Sequence, residues 1–306
     1  MSDFSPPKFQ IVFLHPRYLH TWLGVGLMYL ASWLPYRIQF YAGRGLGRLM
    51  HMFMKRRVYI ADRNLALCFP EMSPASRQAM VKENFANSGL ALFETCMAWF
   101  WPSWRIKKHM VYEGLDILHK LESEHKGALV IAVHSMNLEL GARSLGEVTP
   151  GVGVYRPNNN PVYDWFQLRG RTRHNGAIDR KDVKAMIHHL KQGDRVWYAP
   201  DHDYGRRRSA FAPLFAVDKA CTTTGTSLLA QAGHAVVVPF SIVRSRRGGQ
   251  YRVTIHPPIQ DFPKDTHAAT VVTNQAVERL ILQAPEQYMW LHRRFKTRPE
   301  GEPSLY

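Results

Sequence analysis

The chain has 306 residues and carries 40 Lys and Arg against 24 Asp and Glu, a formal charge of +16. Its 45% hydrophobic content excludes intrinsic disorder, because enough apolar surface is present to offset chain entropy, and a mean hydropathy of −0.28 excludes a polytopic membrane protein. Three cysteines, Cys68, Cys96 and Cys221, without a Cys-x-x-Cys spacing exclude a disulfide framework and fit a reducing compartment, while the basic excess calls for an anionic partner: nucleic acid, membrane headgroups or an acidic protein.

The first sixty residues differ from the rest. Tyr18 to Tyr36 runs for nineteen residues without a formal charge. As one helix it would be about 28 Å long, close to the hydrocarbon thickness of a bilayer. Trp22, Trp33 and Tyr36 lie towards its ends, where amphipathic rings settle at an interface. His20, Ser32 and Pro35 weaken the signal, so the stretch spans, lies flat, or packs as a buried soluble helix. A cleaved signal peptide is the less suitable reading, since no Ala-x-Ala-like site follows. Arg37, Arg44, Arg48, Lys55, Arg56 and Arg57 follow the stretch, against Lys8 and Arg17 before it, which puts the remainder on the cytoplasmic side. The expected organisation is an N-terminal membrane anchor with a basic juxtamembrane segment over 1–60, and one catalytic domain over 61–306.

Residues 73–101 read as a helix, with Ser73 as N-cap and Pro74 in the first helical position. Its apolar end around Trp99, Phe100, Trp101 and Trp104 serves either as core or as a lipid-facing surface. After Gly127 the pattern changes. Residues 128–133, 195–200, 234–243 and 251–258 read as strands from their β-branched and aromatic content. Between them lie expected helices at 137–146, 161–173, 181–192 and 222–232, with another near 265–284. Alternation of this kind predicts an α/β fold whose central sheet is covered by helices.

In such sheets, sites gather at the carboxyl ends of strands. Two of those ends bear ionisable residues: His134 after Ala128–Val133, and Asp201, His202 and Asp203 after Arg195–Pro200. His134 and Glu139 stand five apart, so on one helix they would diverge by about 140°. They meet only if His134 precedes the helix, in the strand-to-helix turn. The Glu139 carboxylate would then fix the imidazole tautomer, and His134 would take a proton from a substrate hydroxyl. On spacing alone, a hydrogen-bonded turn histidine is the commoner reading. His188, His189, His202 and the neighbouring acids lack any metal-ligand spacing, and no metal is expected. Arginine clusters lie at 169–173, 180–181, 206–208, 244–247 and 292–298, but the aromatics sit mostly in apolar runs and no zinc-finger, RNP or helix-turn-helix signature appears, so nucleic acid is not the expected partner.

Several passages in order, RNLALCFPEMS (63–73), VHSMNLELGAR (133–143), GVYRPNNNP (153–161), VWYAPDHDYG (196–205) and APEQYMWLHRRFKTRPEG (284–301), give the chain a close resemblance to the lipid A biosynthesis acyltransferases, the late lauroyl/myristoyl-type enzymes. The resemblance implies a single glycerol-phosphate-acyltransferase-like domain. It implies transfer of an acyl chain from acyl carrier protein to a hydroxyl on a phosphorylated, acylated lipid A precursor at an anionic inner membrane, without a cofactor. His134 and Glu139 match the family's His-x-x-x-x-Asp/Glu catalytic element. Arg171 is the first choice for an oxyanion donor, with Arg173 and Arg180 as alternatives that instead grip phosphate. Asp201 and Asp203 are expected to position an arginine or a sugar hydroxyl, or to cap a helix. A lysophospholipid or glycerol-phosphate acceptor, and a non-catalytic binder of nucleic acid or anionic lipid, are the competing readings.

Overall fold

The structure, a computed structural model, describes residues 7–306. The N-terminal part is helical: α1 (Leu19–Trp33), α2 (Tyr36–Phe53), α3 (Lys55–Cys68), α4 (Pro74–Phe100) and α5 (Ser103–His109). The expected start of α4 is present, with Pro74 at its first position and Ser73 Oγ accepting from the Ser76 amide at 3.2 Å. Gly43 and Gly47 of α2 cross Gly89 of α4 so closely that a Cβ on Gly89 would sit 2.2 Å from the Gly47 nitrogen. Only glycine allows the two backbones that approach.

The uncharged stretch 18–36 is not one helix, which corrects the expected transmembrane anchor. Pro35 cannot continue the hydrogen-bond ladder, so α1 ends at Trp33 and the chain turns through an extended Leu34 before α2 begins. Fifteen residues give about 22 Å of helix, short of the roughly 30 Å of a hydrocarbon core. No helix among the described residues is long and apolar enough to cross a membrane. The expected domain boundary at residue 60 falls inside α3, and α2 and α3 both pack on α4.

The second part alternates strands and helices: β1 (Met110–Glu113), α6 (Leu115–Ser123), β2 (Ala128–Ile131), α7 (Leu138–Gly146), β3 (Val152–Tyr155), α8 (Pro161–Arg171), β4 (Gly176–Asp179), α9 (Val183–Lys191), β5 (Arg195–Tyr198), a hairpin of β6 (Ser209–Leu214) and β7 (Val217–Thr223), α10 (Gly225–Gly233), β8 (Val236–Arg244), β9 (Tyr251–Ile255) and α11 (Thr266–Leu282). Seven strands form one sheet in the order β1-β9-β8-β2-β5-β3-β4; β6 and β7 pair separately. Every junction in that sheet is parallel except β8–β9.

The sheet is covered on both faces, as the α/β pattern predicts. On β2, Ala128 and Val130 belong to a core shared with α4, α6 and α7, while Leu129 and Ile131 meet α9, α10 and α11. Alternate side chains of one strand therefore feed two layers, and all four are buried. The consequence for function is geometric. β2, β5, β3 and β4 run the same way, so the residues following each of them converge along one edge.

Candidate active site

That carboxyl edge opens into a cavity of about 880 Å³. Among its lining residues are His134 after β2, Arg156 after β3, Arg180 after β4 and His202 after β5. The turn carrying His134 is fixed by the chain's C-terminal segment. The Met136 amide donates to the Gln287 carbonyl at 2.7 Å, and the Met289 amide donates to the His134 carbonyl at 3.1 Å.

The His134 imidazole is held by Asp201. Its Nδ1 lies 2.7 Å from Asp201 Oδ1, and its backbone amide donates to Asp201 Oδ2 at 3.0 Å. The pairing follows from strand register. Ile131 of β2 stands opposite Tyr198 of β5, and His134 and Asp201 each lie three residues beyond that pair (134 − 131 and 201 − 198). Asp201 is 1% exposed. Burial alone would raise its carboxyl, but the His134 charge and hydrogen bonds outweigh burial and hold it well below the usual carboxylate range. An ionised carboxylate only accepts, so Nδ1 carries the proton and Nε2 is left as the basic nitrogen.

The expected His134–Glu139 contact does not form. Glu139 sits in the first turn of α7 and reaches sideways to α8 and α4 instead. Its Oε1 accepts from Arg171 Nε at 2.8 Å and from Trp99 Nε1 at 2.9 Å, and its Oε2 accepts from Arg171 Nη2 at 2.6 Å. Burial would raise the Glu139 carboxyl, yet Arg171 overrides it and keeps the group ionised below its ordinary range. In return Glu139 raises Arg171 above its usual value despite burial. The fork engages Nε and Nη2 of Arg171, so Nη1 is the arm that remains for substrate.

The other sequence candidates divide. Arg180 lines the cavity, and no ion pair forms to it, Arg156, Lys181, Arg207 or Arg208 among the described residues. Arg173 does not line the cavity; its Nη1 lies 3.5 Å from the Trp101 carbonyl. Asp203 is also spent elsewhere. Its carboxylate accepts from the Thr297 amide and hydroxyl at 2.8 Å each and from the Gly205 amide at 2.9 Å, stapling the loop after β5 to the C-terminal segment.

Sequence reasoning missed two features. One is the pairing of Asp201 with His134, which only the adjacency of β2 and β5 reveals. The other is a ladder of imidazoles. The His134 and His202 rings stack with centroids 3.5 Å apart and 10° between planes, and His292 stacks on His202 at 4.1 Å and 18°. Burial, reinforced by neighbouring cationic groups, lowers His202 to about 3 and His292 to about 4, so both stay neutral near pH 7. His134, Asp201 and His202 are close enough to suggest metal ligands, with ligand atoms within 4.8 Å of one another. Parallel rings 3.5 Å apart, however, cannot both place an in-plane lone pair on one ion about 2.0–2.1 Å away.

An imidazole oriented by a buried carboxylate, lining the same cavity as an arginine with one arm unengaged, suits attack of a hydroxyl on an activated carbonyl. Comparison with known proteins gives the family. The family model described as bacterial lipid A biosynthesis acyltransferase matches residues 6–297. The chain belongs to that family. It is 52% identical over 302 residues to the lipid A biosynthesis lauroyltransferase of Escherichia coli (strain K12), covering 98% of this chain and 99% of that one. It is 45% identical over 304 residues to the palmitoleoyltransferase of the same organism, with 99% of each chain covered. A lipid A biosynthesis acyltransferase of Haemophilus influenzae is 47% identical across the full length of both. A crystal structure of a 1-acyl-sn-glycerophosphate acyltransferase from Thermotoga maritima is 16% identical, covers 79% of this chain and 98% of its own, and has a TM-score of 0.36, too distant to carry an argument. The protein is thus a lipid A biosynthesis acyltransferase, and the reading as a non-catalytic binder is set aside.

Proposed function

We propose that this acyltransferase moves a fatty acyl chain, with laurate favoured, from acyl carrier protein to a hydroxyl borne by an acyl chain of Kdo-bearing lipid IVA, making an acyloxyacyl linkage. The observation that carries the reading is the His134–Asp201 pair, engaged through Nδ1, lining one cavity with the Arg171–Glu139 fork. Nε2 takes the proton of the acceptor hydroxyl as its oxygen attacks the thioester carbonyl. Negative charge gathers on the carbonyl oxygen, where Arg171 Nη1 is the donor at hand. Collapse of the tetrahedral intermediate breaks the carbon–sulfur bond, and the imidazolium returns its proton to the leaving thiolate. Asp201 remains ionised throughout and balances the imidazolium. Laurate is favoured because the relative at 52% identity bears the lauroyltransferase name, against 45% for the palmitoleoyltransferase.

Arg156, Arg180, Lys181, Arg207 and Arg208 around the mouth suit the phosphates of the acceptor, since guanidinium matches phosphate in a bidentate fork. The N-terminal helices suit an anionic inner-membrane surface on its cytoplasmic side. Leu19, Leu23, Leu27 and Leu30 form one stripe along α1, each at least 60% exposed, and Ile38, Met52 and Phe53 continue the apolar surface on α2. Arg37, Arg48, Lys55, Arg56 and Arg57 are exposed around it. A helix with such a face lies in the interface rather than across it.

The test incubates the purified protein with Kdo-bearing lipid IVA and lauroyl carrier protein and reads the added acyl mass. His134→Ala is expected to lower the rate by about 10²–10⁴-fold. Undiminished transfer by that variant, or transfer only to lysophospholipid or glycerol phosphate, overturns the reading.

A further inference from the structure

The cavity does not end at His134. Its lining follows β3 from Tyr155 at the carboxyl edge back to Gly153, and β4 from Ala177 back to Gly176 and Asn175. Val152 pairs with Gly176 and Tyr155 with Asp179, so the lining measures one strand, roughly 10–13 Å from mouth to floor. α7 roofs the same run. It begins at the carboxyl edge with Leu138 and heads for the amino edge, where Gly146 closes on the Asn175 side chain. Ala98, Trp99, Leu138, Ala142 and Trp197 make the walls of this inner arm largely apolar.

The floor is charged. Arg143 lines the cavity one helical turn past Glu139 and is only 4% exposed. Its Nη1 donates to the buried Glu147 carboxylate, which also has His174 Nε2 at 3.6 Å. Its Nε and Nη2 are buried with no hydrogen-bond partner among the described residues. A buried donor without an acceptor is unfavourable, and more so when charged. A hydrocarbon end pressed against these two nitrogens offers them nothing.

We propose that Arg143, held by Glu147, is the stop that limits how long an acyl tail the inner arm accepts. The proposal rests on the acyl-transfer reading above. A tail ending short of Arg143 lies between apolar walls, and each methylene adds favourable burial. One methylene more meets a guanidinium it cannot solvate. Selection of this kind works by refusal of the wrong substrate as much as by attraction of the right one. Arg143 itself lies towards the amino edge of the strands, away from the reacting carbonyl.

The experiment supplies Kdo-bearing lipid IVA and an equimolar pool of saturated acyl carrier proteins from decanoyl to palmitoyl, and reads product masses. Arg143→Met combined with Glu147→Gln removes both charges, so neither is left buried alone. It is expected to raise the ratio of myristoyl to lauroyl product by about tenfold or more, the scale on which a pocket senses a methylene. Ala142→Leu, in the apolar wall immediately before Arg143, is expected to shift products towards decanoyl. If the double variant fails to fold, Ala142→Leu decides alone. An unchanged length distribution in a folded variant overturns the proposal. So does a loss of transfer equal for every chain, which would assign Arg143 to a polar part of the substrate. A wild-type protein that transfers no chain overturns the acyl-transfer reading and this one with it.

Discussion

Two ionic links in this molecule have the same length and opposite character. His134 Nδ1 and Asp201 Oδ1 are 2.7 Å apart at the ends of β2 and β5, and Arg244 Nη1 and Glu94 Oε1 are 2.7 Å apart between the end of β8 and α4. The second link is buried and engaged within the protein. Both side chains are at most 3% exposed, Tyr251 Oη donates to the same Glu94 oxygen, and Arg244 Nη2 is taken by Asn87 Oδ1. The first link is open on one side: Asp201 is fully covered, whereas the His134 side chain is 25% exposed and faces the cavity. A buried charge pair thus becomes chemistry only where one partner keeps a free valence towards a substrate; otherwise it joins elements.

The contrast can be broken by substitution. Asp201→Asn is expected to lower kcat by about 10³–10⁴-fold with the fold retained, because an amide does not balance the imidazolium and lets the ring take the wrong tautomer; kinetics alongside circular dichroism decide. Glu94→Gln is expected to leave kcat nearly intact at low temperature yet cost about 3–5 kcal/mol of stability, since Arg244 stays buried without its counter-charge. Chemical denaturation measures that cost. Were Glu94→Gln to lose activity while stable, the buried link would not be merely structural. A smaller loss of kcat, on the order of tenfold to a hundredfold, is expected for Glu139→Gln, which weakens the fork that orients Arg171.

The subtlest effect concerns pH. His202 and His292 are depressed in the folded state, to about 3 and about 4 from 6.5. The unfolded chain therefore binds protons below about pH 6.5 that the folded chain refuses until far lower, so stability falls as pH drops through that window. Each group adds a slope of at most about 1.4 kcal/mol per pH unit. His292→Phe keeps a ring in the stack and removes one titration, so its melting temperature should fall less between pH 6.5 and 4.5 than that of the wild type. Equal slopes would show that the ladder does not govern acid stability.

Legibility in the sequence followed the range of the interaction. The cap at Ser73, the helix over 74–100 and the four longest apolar runs depend on neighbours in the chain, and the structure has them. The strands β3 and β4, the pair β6–β7 and the short β1 were not legible. Gly153 and Gly176 dilute the β-branched signal in the first two, and β6 holds Pro213. Within the site, His134 was marked by its place after a strand, Glu139 by its spacing from His134 and then by family resemblance, and Arg171 by its arginine cluster, but the pairing of Arg171 with Glu139 was not. Asp203 looked as available as Asp201, and only Thr297, distant in sequence, distinguishes them.

The sequence by itself determined the α/β class, the family, the basic surface and the residues at the strand ends, because periodicity, composition and ordered motifs are local properties. The tertiary structure decided which carboxylate serves which cation. Parallel pairing of β2 with β5 carries Asp201 to His134, and α8 carries Arg171 to Glu139. It also decided the fate of the uncharged N-terminal stretch, where Pro35 and packing on α4 made two helices of what hydropathy alone read as one. In the site the deciding contacts join residues far apart in the chain, which no local pattern encodes; in the N-terminal stretch the break at Pro35 is local, and the packing of α1 and α2 on α4 is not.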